Sequence, residues 1–144
     1  MRQLAVGLCV RPADGALLLE HGEDRTTGAR FYRAIGGGCE PDEQTDDAVV
    51  REWQEEFALA VRVVRMLGAL DNRFVYEGRP GHEHVSVFEV VPDDARTYAA
   101  AQLTGRDPMG QSHVATWVTP DVLRAPESPP VYPAGVLQLL RAAG

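Results

Sequence analysis

The stretch Gly37–Leu59 reads GGCEPDEQTDDAVVREWQEEFAL, and its charged residues dominate the interpretation of the chain. Its first glycine, four of its glutamates and its arginine follow the spacing G-x5-E-x7-R-E-x-x-E-E. On a helix, residues three and four positions apart are neighbours, so Glu52, Glu55 and Glu56 share one face. Like charges at this spacing each destabilise a helix by roughly 0.2–0.5 kcal/mol, and anions are disfavoured near a helix C-terminus. The pattern therefore predicts that a cation binds there and marks a candidate metal site.

A helix is predicted over Thr45–Phe57. Thr45 is the expected N-cap, and two aspartates follow it in the first turn, where the helix dipole favours negative charge. Val49, Trp53 and Phe57 recur every four residues and predict a buried stripe beside the glutamate face. Such a helix packs against a core while it presents its acids to a cleft.

The composition of the chain limits the classes of function. Its 144 residues and ordinary hydrophobic content indicate one globular domain over residues 1–144. The net charge of −7 argues against binding to long nucleic acid, but it permits a small anionic substrate if metal ions supply positive charge. Cys9 and Cys39 are too few for a disulfide framework or a zinc site of their own. Since no apolar run suits a signal sequence or a membrane span, we expect a cytoplasmic protein without a membrane partner.

Short apolar segments on both sides of the helix predict strands. Leu4–Val10 and Ala16–Glu20 flank a turn signal and predict a hairpin, followed by a loop at His21–Arg30. Further strands are expected at Phe31–Ile35, Val61–Leu70, Arg73–Tyr76, His84–Val91 and Val114–Val118. Arg96–Met109 is expected to be an irregular insertion that contains a helical turn near Tyr98–Leu103. A connector is expected at Pro126–Pro133 and a helix at Ala134–Ala142. Strands around one helix, with a second helix closing the chain, predict an α/β (α+β) architecture with a mixed sheet between helices.

The spacing within Gly37–Leu59 resembles the Nudix box, the signature of enzymes that hydrolyse a nucleoside diphosphate linked to another group. The glycine, the four glutamates and the arginine match in type and position, and Phe31–Gly36 resembles the strand that leads into the box. The resemblance implies a MutT-like α/β/α sandwich with a central mixed β-sheet. Ala58 stands where the family usually has glycine. Because a left-handed C-cap costs a non-glycine residue roughly 1–2 kcal/mol, Ala58 predicts a different helix exit.

The resemblance also implies a metal site for Mg²⁺ or Mn²⁺, hard cations that prefer oxygen ligands. Glu52 and Glu56 would be the principal ligands, Glu55 would assist, and the backbone carbonyl of Gly36 would complete the shell. One carboxylate would act as general base for the attacking water, and which one it is stays open.

Further charged residues support this site by the same resemblance. Arg51 would anchor the glutamates by ion pairing, and Glu43 would hold Arg51 or the loop. Family members often add an acid from a later loop or strand, for which Glu83 and Glu89 are the candidates. Glu83 is favoured because it stands at a loop-to-strand junction, where functional residues concentrate.

Substrate contacts are expected before and after the helix. Arg33 lies in the strand that feeds the glycine run, and arginine suits phosphate by bidentate pairing. Gly37 and Gly38 belong to that run. Tyr76 lies where some dinucleoside polyphosphate hydrolases of the family carry a tyrosine. His113 has no support for a role in its neighbouring sequence.

The predicted function is hydrolysis of a nucleoside diphosphate derivative by divalent-metal-dependent attack of water on phosphorus. Nucleoside triphosphates, nucleotide sugars, ADP-ribose and dinucleoside polyphosphates all remain open as substrates. Two alternatives use the same scaffold: a sensor that binds such compounds without cleaving them, and a diphosphate isomerase with Cys39 or His84 as an acid/base group. A homodimer through exposed strand edges or the C-terminal segment is also open.

Overall fold

The acidic helix α1 spans Thr45–Phe57 in the computed structural model, which describes all 144 residues. Its bounds are as predicted. The predicted stripe is also buried, since Val49 and Trp53 are fully buried and Phe57 is nearly so. The Trp53 Nε1–H also donates to the carbonyl of Ile35 at 3.1 Å. The predicted N-cap is wrong: Gln44 is the N-cap, without a capping side-chain bond, and Thr45 already belongs to the helix.

Nine strands form two mixed sheets. Their bounds are β1 Arg2–Leu8, β2 Leu17–Glu23, β3 Arg30–Arg33, β4 Ile35–Gly38, β5 Val61–Tyr76, β6 Arg79–Pro92, β7 Gln102–Arg106, β8 Ser112–Val118 and β9 Val131–Tyr132. A four-stranded sheet has the order β4-β1-β6-β5, with β1 parallel to β6. A five-stranded sheet has the order β7-β8-β2-β3-β9, with β3 parallel to β9.

The sheets lie between helices, which confirms the predicted mixed α/β sandwich. Neighbouring strand residues point to opposite faces. Ala5 of β1 accordingly packs in one core cluster with Trp53 of α1, whereas Val6 packs in a second cluster with Val136. Val136 begins the C-terminal helix α3, Val136–Ala142, and the short helix α2, Pro120–Arg124, packs Leu123 against the same cluster.

The predicted hairpin of the first two strands is wrong. A tight turn does form, with the Gly15 N–H donating to Arg11 O at 2.9 Å, and a single bridge joins Val10 to Leu17. Beyond it the strands enter different sheets. Both edges of β1 are already paired, with β4 and β6, so no edge is left for β2.

The strand predicted over Phe31–Ile35 is two strands. The chain leaves the five-stranded sheet after Arg33 and enters the four-stranded sheet at Ile35. Because of this crossing, Arg33 lies in the five-stranded sheet and the glycine run Gly36–Gly38 lies in the four-stranded sheet, next to α1.

Other boundaries differ because local polarity is misleading. Asp71 and Asn72 are predicted to separate two strands, but β5 continues through them, since Asp71 pairs with His84 and Asn72 with Glu83 of β6. The Arg96–Met109 segment holds a 3₁₀ turn at Ala95–Ala99 and the strand β7 instead of a helical turn at Tyr98–Leu103. Strand β2 takes in the first residues of the predicted His21–Arg30 loop, and β9 lies in the proline-rich connector. None of the three helices has the length and hydrophobicity needed to cross a bilayer.

The exit of α1 contradicts the expectation drawn from Ala58. The helix ends at Phe57, and Ala58 itself adopts the left-handed conformation at φ 53° and ψ 35°. Its N–H donates to Gln54 O at 2.9 Å, which completes an αL cap. The chain therefore uses a glycine-type cap without glycine.

Ala58→Gly is expected to raise the free energy of unfolding by about 1 kcal/mol, because it removes the steric cost of a Cβ in the left-handed region. Urea denaturation measures the change. The matched control is Ala60→Gly, two residues farther on, which lacks a positive φ and is expected to lose stability or leave it unchanged. A destabilised Ala58→Gly would contradict this interpretation of the cap.

Candidate active site

Arg51 lies at the centre of the acids of α1. Its Nε and Nη2 donate to the two oxygens of Glu43 at 2.8 and 2.9 Å, which is a bidentate pair. Its Nη1 donates to Glu52 at 2.9 Å and to Glu55 at 3.0 Å, and Nη2 also reaches the carbonyl of Gly38 at 2.9 Å. The hydrogen bond with Arg51 lowers the pKa of Glu43. One guanidinium thus ties the helix to the glycine strand and orients three carboxylates.

Glu52 lies directly over the glycine strand. A Cβ at Gly37 would stand 2.6 Å from Glu52 Oε2, so only glycine leaves room for this carboxylate against the backbone. Burial raises the pKa of Glu52, and the hydrogen bond from Arg51 opposes that effect. The glycine of the motif therefore has a steric role: it lets a carboxylate approach the strand that follows Arg33.

A second charged network lies on the five-stranded sheet. Arg33 Nη2 donates to Glu20 Oε1 at 3.0 Å, and His113 Nδ1 lies 2.6 Å from Glu20 Oε2. The other ring nitrogen of His113 lies 2.9 Å from Asp107 Oδ2. Carboxylates only accept, so a neutral ring cannot donate to both. Burial lowers the pKa of His113, but the hydrogen bonds with Asp107 and Glu20 outweigh it and raise that pKa overall.

Glu56 joins the two networks. Its side chain is 6% exposed, and its Oε2 is buried without a hydrogen-bond partner. Atoms of Glu20, Glu56 and His113 lie within 4.8 Å of one another. Burial, and then the charge of Glu20, raise the pKa of Glu56 from 4.5 to about 8. Glu56 is thus the acid of α1 whose charge the protein compensates least.

Aromatic side chains border Arg33. Phe31 and Arg33 occupy alternate positions of β3 and share a face. The Phe31 ring meets those of Tyr76 and Tyr132 edge-on, with centroids 6.1 and 5.4 Å apart. Tyr76 and Tyr132 remain 42% and 40% exposed. The tip of the β5–β6 hairpin is fixed beside them, since the Glu77 N–H donates to Asp24 Oδ2 at 3.0 Å.

Two predicted acids lie outside these networks. Glu83 sits on β6 and pairs with Arg2 at 3.5 Å, at the border of an open groove of about 680 Å³ that also includes Tyr76. Glu89 pairs with Arg65 on β5 at 2.7 Å. Neither belongs to the group that surrounds Glu56. Gly36 lies in β4 opposite Val6, on the strand under Glu52.

The comparisons with known proteins identify the family of the chain. The family model described as NUDIX domain matches residues 1–137. The chain belongs to the Nudix family. It is therefore a hydrolase that acts on pyrophosphate bonds. Nudix enzymes generally require divalent metals and act on small nucleotide derivatives. A comparison with curated proteins returned no significant match.

Solved structures share the fold. A Nudix hydrolase from Nitrosomonas europaea superposes with a TM-score of 0.69 at 17% identity, over 99% of this chain and 87% of that chain. The E. coli ORF135 protein gives a TM-score of 0.58 at 25% identity, over 99% and 94%. An ADP-ribose pyrophosphatase from Streptococcus suis gives 0.58 at 18% identity, over 99% and 91%. At such identities the likeness to the first and the third shows the Nudix fold alone.

The residues of the Nudix box fit a hard divalent cation. The donor set is made of carboxylates, and the buried, unpartnered oxygen of Glu56 lacks the positive partner that a buried acid requires. His113 is unsuited to binding a metal here, because both of its nitrogens already face carboxylates.

Several residues of this site were missed in the sequence. Glu20 follows three leucines and alternates with the buried Leu18, so an inward-facing acid was a readable signal. His113 and Asp107 offered no comparable signal, because they become neighbours of Glu20 only when β8 pairs with β2. The sequence around His113 therefore supported no role for it, and its contacts with Glu20 and Asp107 form only in the folded chain.

Proposed function

We propose that this chain is a Mg²⁺- or Mn²⁺-dependent pyrophosphohydrolase of nucleoside diphosphates linked to another group. The observation that carries the proposal is the buried carboxylate of Glu56, whose Oε2 has no donor, next to a second buried acid. Two such acids without a bound cation repel each other, and burial weakens the screening by water. The divalent ion would be held by Glu52 and Glu56, with Glu55 and the Gly36 carbonyl in support.

Arg33 is the proposed phosphate contact. Its side chain is 45% exposed, and it is anchored on Glu20 beside the acids of α1. All fourteen basic residues of the chain are arginines, whose planar guanidinium groups bind phosphate oxygens in pairs. The backbone of Gly37 and Gly38 lies next to the same acids and is proposed to border the diphosphate.

The reaction is hydrolysis at phosphorus. Water forms a new P–O bond, the bond from that phosphorus to the bridging oxygen breaks, and the departing phosphate keeps the bridging electron pair. The proton of the water passes to a carboxylate of α1. When bound, the metal ion supplies charge neutralisation and activation of the water. Arg51 keeps Glu52 and Glu55 in place, and Arg33 orients the diphosphate.

The aromatic cluster is proposed to bind the group beyond the phosphates. Tyr76 and Tyr132 are about 40% exposed and are held in place by edge-on contacts with the Phe31 ring, which suits stacking against a flat base. Similar Nudix structures include an ADP-ribose pyrophosphatase and a UDP-X diphosphatase, so nucleotide conjugates lead the list of substrates to test.

Tyr76→Ala is expected to raise KM about tenfold and to leave kcat nearly unchanged, because a stacked base contributes roughly 1–3 kcal/mol of binding in both ground and transition states. Steady-state kinetics on the best substrate measure both constants. Val75→Ala, at the neighbouring exposed position, is the control and should change neither. An unaltered KM for Tyr76→Ala would remove this tyrosine from the substrate site.

The function itself is tested with a panel of nucleoside triphosphates, nucleotide sugars, ADP-ribose and dinucleoside polyphosphates, with Mg²⁺, with Mn²⁺ and with EDTA. Products are identified by mass, and H₂¹⁸O shows which phosphorus is attacked. Metal-dependent release of a nucleoside monophosphate is the expected result. Tight binding of a nucleotide without products would favour the sensor, and conversion without uptake of water would favour the isomerase.

A further inference from the structure

Glu20 is an unusual residue for its position. It continues the buried run Leu17–Leu19 of β2 and is itself only 5% exposed. A buried carboxylate is costly unless it is paired, and leucine would serve the core better here. Arg33 and His113 neutralise it by direct contacts. The protein therefore maintains a negative group, with two cationic partners, at one fixed place on the five-stranded sheet.

His113 and Asp107 fix the orientation of that carboxylate. Asp107 Oδ1 accepts the N–H groups of Met109 and Gln111 at 2.9 and 3.0 Å, which anchors it in the turn between β7 and β8. Its Oδ2 holds the His113 ring, and the ring holds Glu20 Oε2. The three side chains form a series from a backbone turn to Glu20, in which His113 and Glu20 are buried and Asp107 is partly exposed. His113 has no free lone pair for an ion.

The series ends opposite the acid that lacks a partner. Glu56 Oε2 is buried without a donor, and the nearest atoms of Glu20 and His113 lie within 4.8 Å. The neighbouring cations bind Glu20 and leave Glu56 without a hydrogen bond. Two carboxylates from different layers, one on α1 and one on β2, thus lie within 4.8 Å of each other, and no donor of the chain reaches Glu56 Oε2.

We propose that Glu20 is a ligand of the divalent cation bound by Glu56, so that the metal site joins α1 to the five-stranded sheet. His113 and Asp107 are positioning residues that aim the Glu20 carboxylate. The inference rests on the proposed function for the presence of the ion, and it adds a ligand that lies outside the Nudix box.

The test is a Mn²⁺ titration followed by electron paramagnetic resonance, without substrate, on the full chain. Glu20→Gln is expected to weaken Mn²⁺ binding by about tenfold or more, and His113→Asn by about tenfold through loss of the positioning contact. Glu23→Gln, an exposed glutamate on the same strand, is the charge-matched control and should bind as the unmodified protein does.

Hydration of the bound Mn²⁺ separates a ligand from a structural residue. Water-proton relaxation should report an additional water on Mn²⁺ in Glu20→Gln, because water replaces the lost oxygen, and no additional water in Glu23→Gln. If Glu20→Gln fails to fold, Glu20→Asp keeps the charge and withdraws the carboxylate by one methylene. It should show the same two changes in weaker form.

The outcomes distinguish this inference from the proposed function. Unaltered affinity and hydration in a folded Glu20→Gln or Glu20→Asp would overturn the role of Glu20 and leave the proposed function standing. A shared proton between Glu20 and Glu56, with no metal contact, predicts that result. Failure of the unmodified protein to bind Mn²⁺ with or without nucleotide would overturn the proposed function itself.

Discussion

Glu56→Gln is expected to lower turnover roughly 10²- to 10³-fold while it stabilises the EDTA-treated protein above neutral pH. If Glu56 is a principal metal ligand, its loss removes several kcal/mol of transition-state stabilisation, which corresponds to roughly 10²- to 10³-fold in rate. Glutamine keeps the shape of the side chain and removes the buried charge. The glutamine amide can also donate a hydrogen bond to the neighbouring Glu20 carboxylate. The ionised carboxylate of Glu56 at high pH cannot, because it only accepts.

The gain in stability has a definite dependence on pH. Burial raises the pKa of Glu56 from 4.5 to about 8 in the folded chain. A raised pKa favours the folded state below the unfolded value, and this advantage is lost as the pH rises through the folded value. Glutamine does not titrate. The free energy of unfolding of the variant, relative to that of the unmodified protein, should therefore rise between pH 5 and 9, by roughly 2–4 kcal/mol at the upper end.

Urea denaturation at several pH values with EDTA, together with kcat/KM at saturating Mg²⁺, measures both effects. Glu23→Gln removes a charge of the same sign from an exposed position and should alter neither. Added Mg²⁺ should stabilise the unmodified protein and not Glu56→Gln, because binding to the folded state alone raises stability. Normal Mg²⁺-dependent rates in the variant would rule out Glu56 as an essential ligand.

Arg51→Met should lower the free energy of unfolding by about 2–3 kcal/mol. The methionine keeps the aliphatic stem, so the loss measures the charge and its hydrogen bonds. Removing one partner of a buried ion pair costs about 3–5 kcal/mol, and the side chain of Arg51 is 24% exposed, which reduces the effect. Glu43, Glu52 and Glu55 would then repel one another without their shared donor.

Arg51→Lys should recover less than half of this loss, because one ammonium group cannot hold Glu43 bidentately and reach the helix acids as well. Arg62→Met, at an exposed position, is the control for loss of positive charge. The pKa of Glu43 is lowered by Arg51, so the stabilisation is present above pH 4.5 and is lost as the pH falls. The deficit of Arg51→Met should shrink in acid. A deficit that is equal at pH 3 and pH 7 would contradict the ion-pair explanation.

The sequence was most informative where local rules and burial agree. The bounds of α1 and its stripe of Val49, Trp53 and Phe57 were predicted correctly, because one helix face satisfies the core at every fourth residue. The family was recognised for a related reason: the spacing of the Nudix box is itself local, set by one strand end, one loop and one helix. A single sequence contains that information in full.

The sequence-based predictions of strand pairing and of the helix exit were wrong where the partner of a segment lies far away in the chain. Whether β1 pairs with β2 depends on β4 and β6, which occupy both of its edges. The left-handed Ala58 shows the same limit, since local preference disfavours it and the packing of α1 imposes it. In both cases the energy of many distant contacts exceeds a local cost of one or two kcal/mol.

The sequence by itself determined the acidic helix, the mixed α/β class and membership of the Nudix family, because each depends on residues close together in the chain. Only the tertiary structure decided which acid is left uncompensated. Glu20, Glu56 and His113 come from three elements of the fold, and their charges affect one another only after the sheets and α1 pack and exclude water. The compensation of a buried charge depends on all of its neighbours, and those neighbours are set by the fold.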